Sequence, residues 1–120
     1  MIEDKIRKTV SLGTVIPKPE ANGDFIVKAW GTRRGETALV YTIPNHGNPA
    51  KPHQKGVTVS EFRQAFAELE KSGEFTHTWF NKHLSDCAKE GACNYTTIGG
   101  IFELLGEARY SSRGVYKRRR

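Results

Sequence analysis

The chain has 120 residues, 37% hydrophobic and 27% charged, which suits one globular domain with one core. No apolar run approaches the roughly 20 residues that span a bilayer, and the opening "MIEDKIRKTVSLG" lacks an export signal, so a cytoplasmic protein without membrane contact is expected. Net charge is +6, from 19 Lys/Arg against 13 Asp/Glu, which raises the question of an acidic partner.

Residues 1–56 read as strands and turns. "TVIPKP" is a short β-branched run stopped by Pro17 and Pro19, an edge strand at best because proline removes a ladder donor. Asn22-Gly23 marks a turn, and Phe25 to Trp30 is rich in strand formers. "GTRRGE" interrupts before a second run, Thr37 to Ile43, so a hairpin is predicted with Arg33 and Arg34 at its tip. Residues 44–56, "PNHGNPAKPHQKG", are dense in Pro, Gly and Asn. They are expected to form a loop that separates a sheet part from a helical part.

Residues 57–120 read as three helices and a hairpin. Thr58 with Glu61 three residues on is a capping box, each side chain meeting a backbone donor at a helix start. Val59, Phe62, Phe66 and Leu69 then form one apolar stripe, and Gly73 is placed to end the helix in the left-handed conformation. A second helix is predicted to start at Thr76 after a sharp turn, with Phe80, His83, Leu84 and Cys87 on one face and Gly91 at its end. The third begins near Asn94 or Thr96, buries Ile98, Ile101, Phe102 and Leu105, and stops at Gly106. Ala108 to Tyr110 and Val115 to Lys117 flank a turn through Ser111 to Gly114, the pattern of a short hairpin. The last twelve residues hold Arg109, Arg113, Lys117, Arg118, Arg119 and Arg120 without a single acid, so positive charge gathers at one end of the chain.

Helix, tight turn, helix, short loop, helix and hairpin is the element order of a winged helix-turn-helix. Residues 57–117 resemble that superfamily through "VSEFRQAFAEL", "TWFNKHL", "TTIGGIFELLG" and "ARYSSRGVY". The resemblance implies a three-helix winged unit; together with the strands read from residues 1–56, an α+β fold is expected, a small antiparallel N-terminal sheet packed with that unit. The resemblance also implies nucleic-acid binding, with DNA as the leading polymer. In DNA-binding members the third helix usually enters the major groove, which here would present Asn94, Tyr95, Thr96, Thr97, Gly100 and Glu103. That helix has no Lys or Arg from Asn94 to Leu105, and so lacks the bidentate arginine that most often reads guanine. The wing and tail are therefore the stronger candidates: Arg109, Arg113, Lys117, Arg118, Arg119 and Arg120 on phosphates, with Arg33 and Arg34 able to join them. The competing reading is a protein-interaction module on the same scaffold, in which the N-terminal hairpin makes a homodimer or meets a partner.

Other chemistry has less support. His77, His83, Cys87 and Cys93 are zinc-type ligands, but their spacing lacks a C-x-x-C pair, and core packing is the preferred reading. A Cys87–Cys93 disulfide would require an oxidising setting. His46 and His53 share a loop with Lys51 and Lys55, without a paired nucleophile or carboxylate cluster. No P-loop or Rossmann fingerprint is present, so neither an enzyme nor a cofactor is expected. Trp30 and Tyr41 could stack on bases, although packing is their commoner use. The pair Gly99-Gly100 inside the third helix costs about 1 kcal/mol per residue against alanine, which close packing against a neighbouring element would explain.

Overall fold

The computed structural model describes residues 1–19 and 23–119. The chain is a mixed α and β structure whose sheets are both antiparallel. It opens with a helix, α1 (Ile2–Thr9), where only strands and turns were expected. Ile2, Ile6 and Val10 recur every four residues and are all buried, with acids in the first turn and bases in the last. Both features favour a short helix docked by one face.

The four strands β1 (Val15–Ile16), β2 (Phe25–Arg33), β3 (Glu36–Ile43) and β4 (His53–Thr58) form a meander in the order β1-β2-β3-β4. Asn22, half of the expected turn signal, lies outside the described residues. The β2–β3 hairpin turns through Arg34 and Gly35, both at positive φ (50° and 75°), between the paired residues Arg33 and Glu36. A two-residue turn of this kind matches the right-handed twist of the strands it joins. One correction concerns the expected loop at 44–56. Its last four residues are the start of β4, which pairs with β3 from His53↔Ile43 to Thr58↔Ala38. Their composition suggests a loop, but β3 supplies a partner strand that composition does not reveal. Thr58 is thus both the end of a strand and the cap of the next helix.

That helix, α2 (Val59–Ser72), has both halves of the capping box and ends at Gly73 with φ 81°. The expected sharp turn after it contains a three-residue strand, β5 (Glu74–Thr76). The second predicted helix is two, α3 (His77–His83) and α4 (Ser85–Glu90), because Leu84 leaves the helical region (φ −119°, ψ 49°) to bury its side chain. The central helix α5 (Asn94–Leu104) follows, then the hairpin β6 (Ala108–Ser112) and β7 (Val115–Arg118). Strand β7 lies between β5 and β6, which ties the hairpin back to the segment between α2 and α3.

One hydrophobic core holds side chains from both parts of the chain, among them Ile6, Val27 and Tyr41 from the first and Phe62, Phe75, Ile98, Phe102 and Tyr116 from the second. The glycine pair explains how α5 fits between them. A Cβ on Gly99 would lie 2.2 Å from the Tyr116 ring, and one on Gly100 would lie 2.2 Å from the Pro17 carbonyl oxygen. Each glycine therefore admits a different neighbour, the hairpin on one side and the β1 edge on another. No helix among the described residues is long and apolar enough to cross a membrane.

Candidate nucleic-acid interface

Strand alternation decides which hairpin residues face outward. Tyr116 points inward and is fully buried against Phe75, Tyr95 and Gly99. Its neighbour Lys117 therefore points out, opposite Arg109 on β6 and Glu74 on β5. Arg109, Arg113, Lys117 and Arg119 are all exposed, and among the described residues none of the four joins an ion pair. Arg113 sits at the hairpin turn beside Gly114, whose φ is 78°. Arg118 differs: it is half-buried and lies 3.5 Å from Glu70, and its backbone N–H donates to Gly73. Arg120 lies outside the described residues.

The groove face expected of α5 is corrected by burial. Asn94 and Thr97 are 0% and 1% exposed, and Tyr95 and Gly100 are buried too. Asn94 accepts a hydrogen bond from the Tyr41 hydroxyl at 2.6 Å and donates to the Cys87 carbonyl at 2.9 Å. The Tyr95 hydroxyl donates to the Phe75 carbonyl at 2.9 Å. Asn94 and Thr97 thus have no surface to offer a base. Packing by the N-terminal sheet, which the resemblance did not include, covers the side of α5 that was expected to be open. Thr96 and Glu103 remain half-exposed, and the Glu103 carboxylate accepts the Tyr110 backbone N–H at 3.0 Å.

Arg33 and Arg34 are already engaged within the fold. Arg34 forms a fork with Glu61, at 2.7 and 2.8 Å, and reaches Glu90 at 2.5 Å and the Gly56 carbonyl at 2.9 Å. Arg33 meets Glu90 at 3.2 Å. The hairpin tip is thereby fastened to the start of α2 and the end of α4, and its charges are matched by carboxylates. Burial disfavours ionised Glu61, yet the hydrogen bonds from Arg34 and from the Thr58 backbone outweigh it and hold the carboxyl below its ordinary range. The hydrogen bond to Glu61 raises the Arg34 guanidinium against an opposing effect of burial.

The remaining candidates are distributed through the packing. Among the described residues no cluster of three or more His, Cys, Asp or Glu is placed to hold a metal ion. Both cysteines are free thiols. Burial pushes the Cys87 thiol up, and the Glu61 charge adds to the shift. Cys93 lies 3.3 Å from the Tyr41 hydroxyl, whose ionisation is suppressed first by burial and then by that thiol. His77 packs near Phe80 and Tyr95, while His83 is exposed and stacks on Trp79, off the buried face predicted for it. His46, Lys51 and His53 are exposed, and Lys55 donates to the Glu90 carbonyl at 2.8 Å. The Arg7 guanidinium lies over one face of Trp30 at 4.0 Å, and Tyr41 is wholly buried and has no ring face to offer a base.

A feature that sequence reasoning missed lies between the hairpin turn and the N-terminal sheet. A groove of about 360 Å³ is bounded by Arg113 and Tyr110 on one side, Lys18 and Phe25 on the other, and His77 and Tyr95 between them. No Asp or Glu is among its described lining residues. The six residues come from β6, the β6–β7 turn, β2, α3, α5 and the segment after β1, so no local pattern could have assembled them. Neither a known protein family, nor a curated protein, nor a solved structure matches the chain.

Proposed function

We propose that residues 57–117 form a winged-helix-like unit that binds nucleic acid through its hairpin and the C-terminal residues that follow, with phosphates rather than base edges as the main contacts. The order of elements supports the winged reading, and so does the pairing of β5 with β7, which anchors the wing to the start of the helical pair. The observation that carries the function is the exposed set Arg109, Arg113, Lys117 and Arg119, free of ion pairs among the described residues while Arg33 and Arg34 are matched. Unmatched cations on a rigid strand pair release counterions when they meet phosphates. The burial of α5 argues against reading by a helix in the major groove, so sequence preference is expected to be weak.

Fluorescence anisotropy with a labelled duplex across a salt series tests this reading. Four phosphate contacts correspond to a slope of about −3 to −4 in log K against log salt, at about 0.9 per phosphate. The double variant Arg109→Ala/Lys117→Ala lowers that slope by about 2. Arg33→Ala leaves the slope unchanged, because its charge already faces Glu90. Absence of binding at low salt would remove the proposal and leave a protein partner as the remaining reading of the scaffold.

A further inference from the structure

We propose that the groove between the hairpin turn and the β1–β2 edge receives one unstacked base and its adjoining phosphate, so that the protein prefers single-stranded to duplex nucleic acid. This rests on the nucleic-acid reading above and adds to it a polymer class and a second contact site.

Three observations converge. The first is the rings. Tyr110 is 37% exposed, unusual for a large aromatic side chain here, and its edge-on packing with Tyr116 at 5.7 Å and 76° fixes its plane. Phe25 also lines the groove, but its ring is already met by the Tyr41 ring at 5.6 Å and by the Lys18 ammonium at 4.9 Å from its centroid, so Tyr110 is the ring with an open surface. Tyr95 and His77, 4.7 Å apart, form the surface between them. Every base has a flat π face, so an exposed ring such as Tyr110 can bind bases with little regard to sequence.

The second is charge. Arg113, exposed and in no ion pair among the described residues, stands at the groove, and no Asp or Glu is among the described residues that line it. An acidic peptide would meet Arg113 but would leave the exposed Tyr110 ring without a matching group. A nucleotide supplies both the ring and the anion.

The third is size. About 360 Å³ falls near the lower end of small-molecule sites, roughly 300–1,000 Å³. That suits a single nucleotide and excludes a duplex, whose bases are already stacked and paired. Only an unpaired base can swing out onto protein rings. The Thr96 hydroxyl, half-exposed at the groove and donating to the Cys93 carbonyl at 3.1 Å, keeps its oxygen as an acceptor for a base N–H.

The test uses the full chain with three labelled probes: a mixed-sequence single strand, a duplex of equal length, and an acidic peptide. The single strand is expected to bind more tightly than the duplex at the same salt. Tyr110→Ala should weaken single-strand binding by about 5- to 140-fold, the range for losing one stacked base, and leave the duplex nearly unaffected. Tyr110→Phe keeps the ring and should bind like the unaltered protein. Ala92→Trp is the second variant: Ala92 is exposed and lines the groove, so the larger ring fills it without disturbing the core. It should mimic Tyr110→Ala.

If single strand and duplex bind alike, and neither Tyr110→Ala nor Ala92→Trp changes either, the groove proposal is overturned. In that case a continuing effect of Arg109→Ala/Lys117→Ala leaves the phosphate-binding wing standing. If the peptide binds as well as the single strand and responds equally to Tyr110→Ala, the groove reads acidic chains and the proposal fails. If no nucleic acid binds at low salt, the wing reading and the groove proposal fall together.

Discussion

At residue 99 the absence of a side chain is a structural requirement. An exposed helical glycine gains about 1 kcal/mol when replaced by alanine. Here the added methyl would meet the Tyr116 ring, whose own position is fixed by Phe75, Tyr95 and Tyr110. Gly99→Ala is therefore expected to destabilise the protein by about 1–3 kcal/mol, the usual cost of overpacking, seen as a lower urea midpoint. Glu61 gives a prediction of opposite chemistry. Its folded carboxyl lies below the unfolded value of about 4.3. The stability it contributes is present above that value and disappears as pH falls through the folded pKa. Glu61→Gln should thus cost about 1–3 kcal/mol near neutral pH, as for hydrogen bonds to charged groups. Denaturation measured on both proteins should show the gap narrowing once pH drops below about 4. The two roles of this residue also mark what a sequence can reveal. Its capping of α2 is legible because Thr58 is three positions away. Its pairing with Arg34 is not, because that partner is distant in sequence and meets it only after the sheet has folded.

Among the elements, those whose signals are local were legible: the β2–β3 hairpin, α2 with its cap and stop, α5, and the final hairpin. The exceptions are short or depend on a partner. Strand β5 has three residues, too few to show alternation, and exists because β7 pairs with it. The four residues before Val57 became strand for the same reason. Helix α1 had a readable signal in Ile2, Ile6 and Val10, and its brevity allowed it to pass as part of a strand-rich segment. The site was less legible than the fold. Charge singled out the hairpin cations as candidates, whereas the burial of Asn94 and Thr97 depends on a sheet contributed by the other part of the chain. Strand position also predicts local dynamics. Strand β7 has a partner on each side and the buried Tyr116 at its centre, while residues 44–52 join two strands as an exposed connection. Hydrogen exchange should show β7 amides protected comparably to α5, with residues 45–51 exchanging orders of magnitude faster.

On the scale of the whole molecule, the two parts share one core and several specific links. Tyr41 bonds to Asn94, Arg34 to Glu61 and Glu90, and Lys5 to Glu107. Neither part can bury its apolar surface alone. The expected outcome is one cooperative thermal transition, with calorimetric and van't Hoff enthalpies equal. Residues 57–120 expressed alone should lack a sharp transition, since Asn94 and the cleft at Gly100 would lose the cover of Tyr41, Ile16 and Pro17. Two resolved transitions in the full chain would refute this. The seating of Tyr116 on Gly99 has a further meaning when seen from outside the protein. A wing joined only by its two ends would swing, and any ligand would first have to arrest it. This one is held against the central helix by direct contact, so the spacing from Arg109 and Lys117 to the ring of Tyr110 is set before a ligand arrives. On the proposed reading, binding then incurs a smaller ordering cost on the protein side, and a nucleic-acid strand that does not match the fixed spacing must do the bending itself.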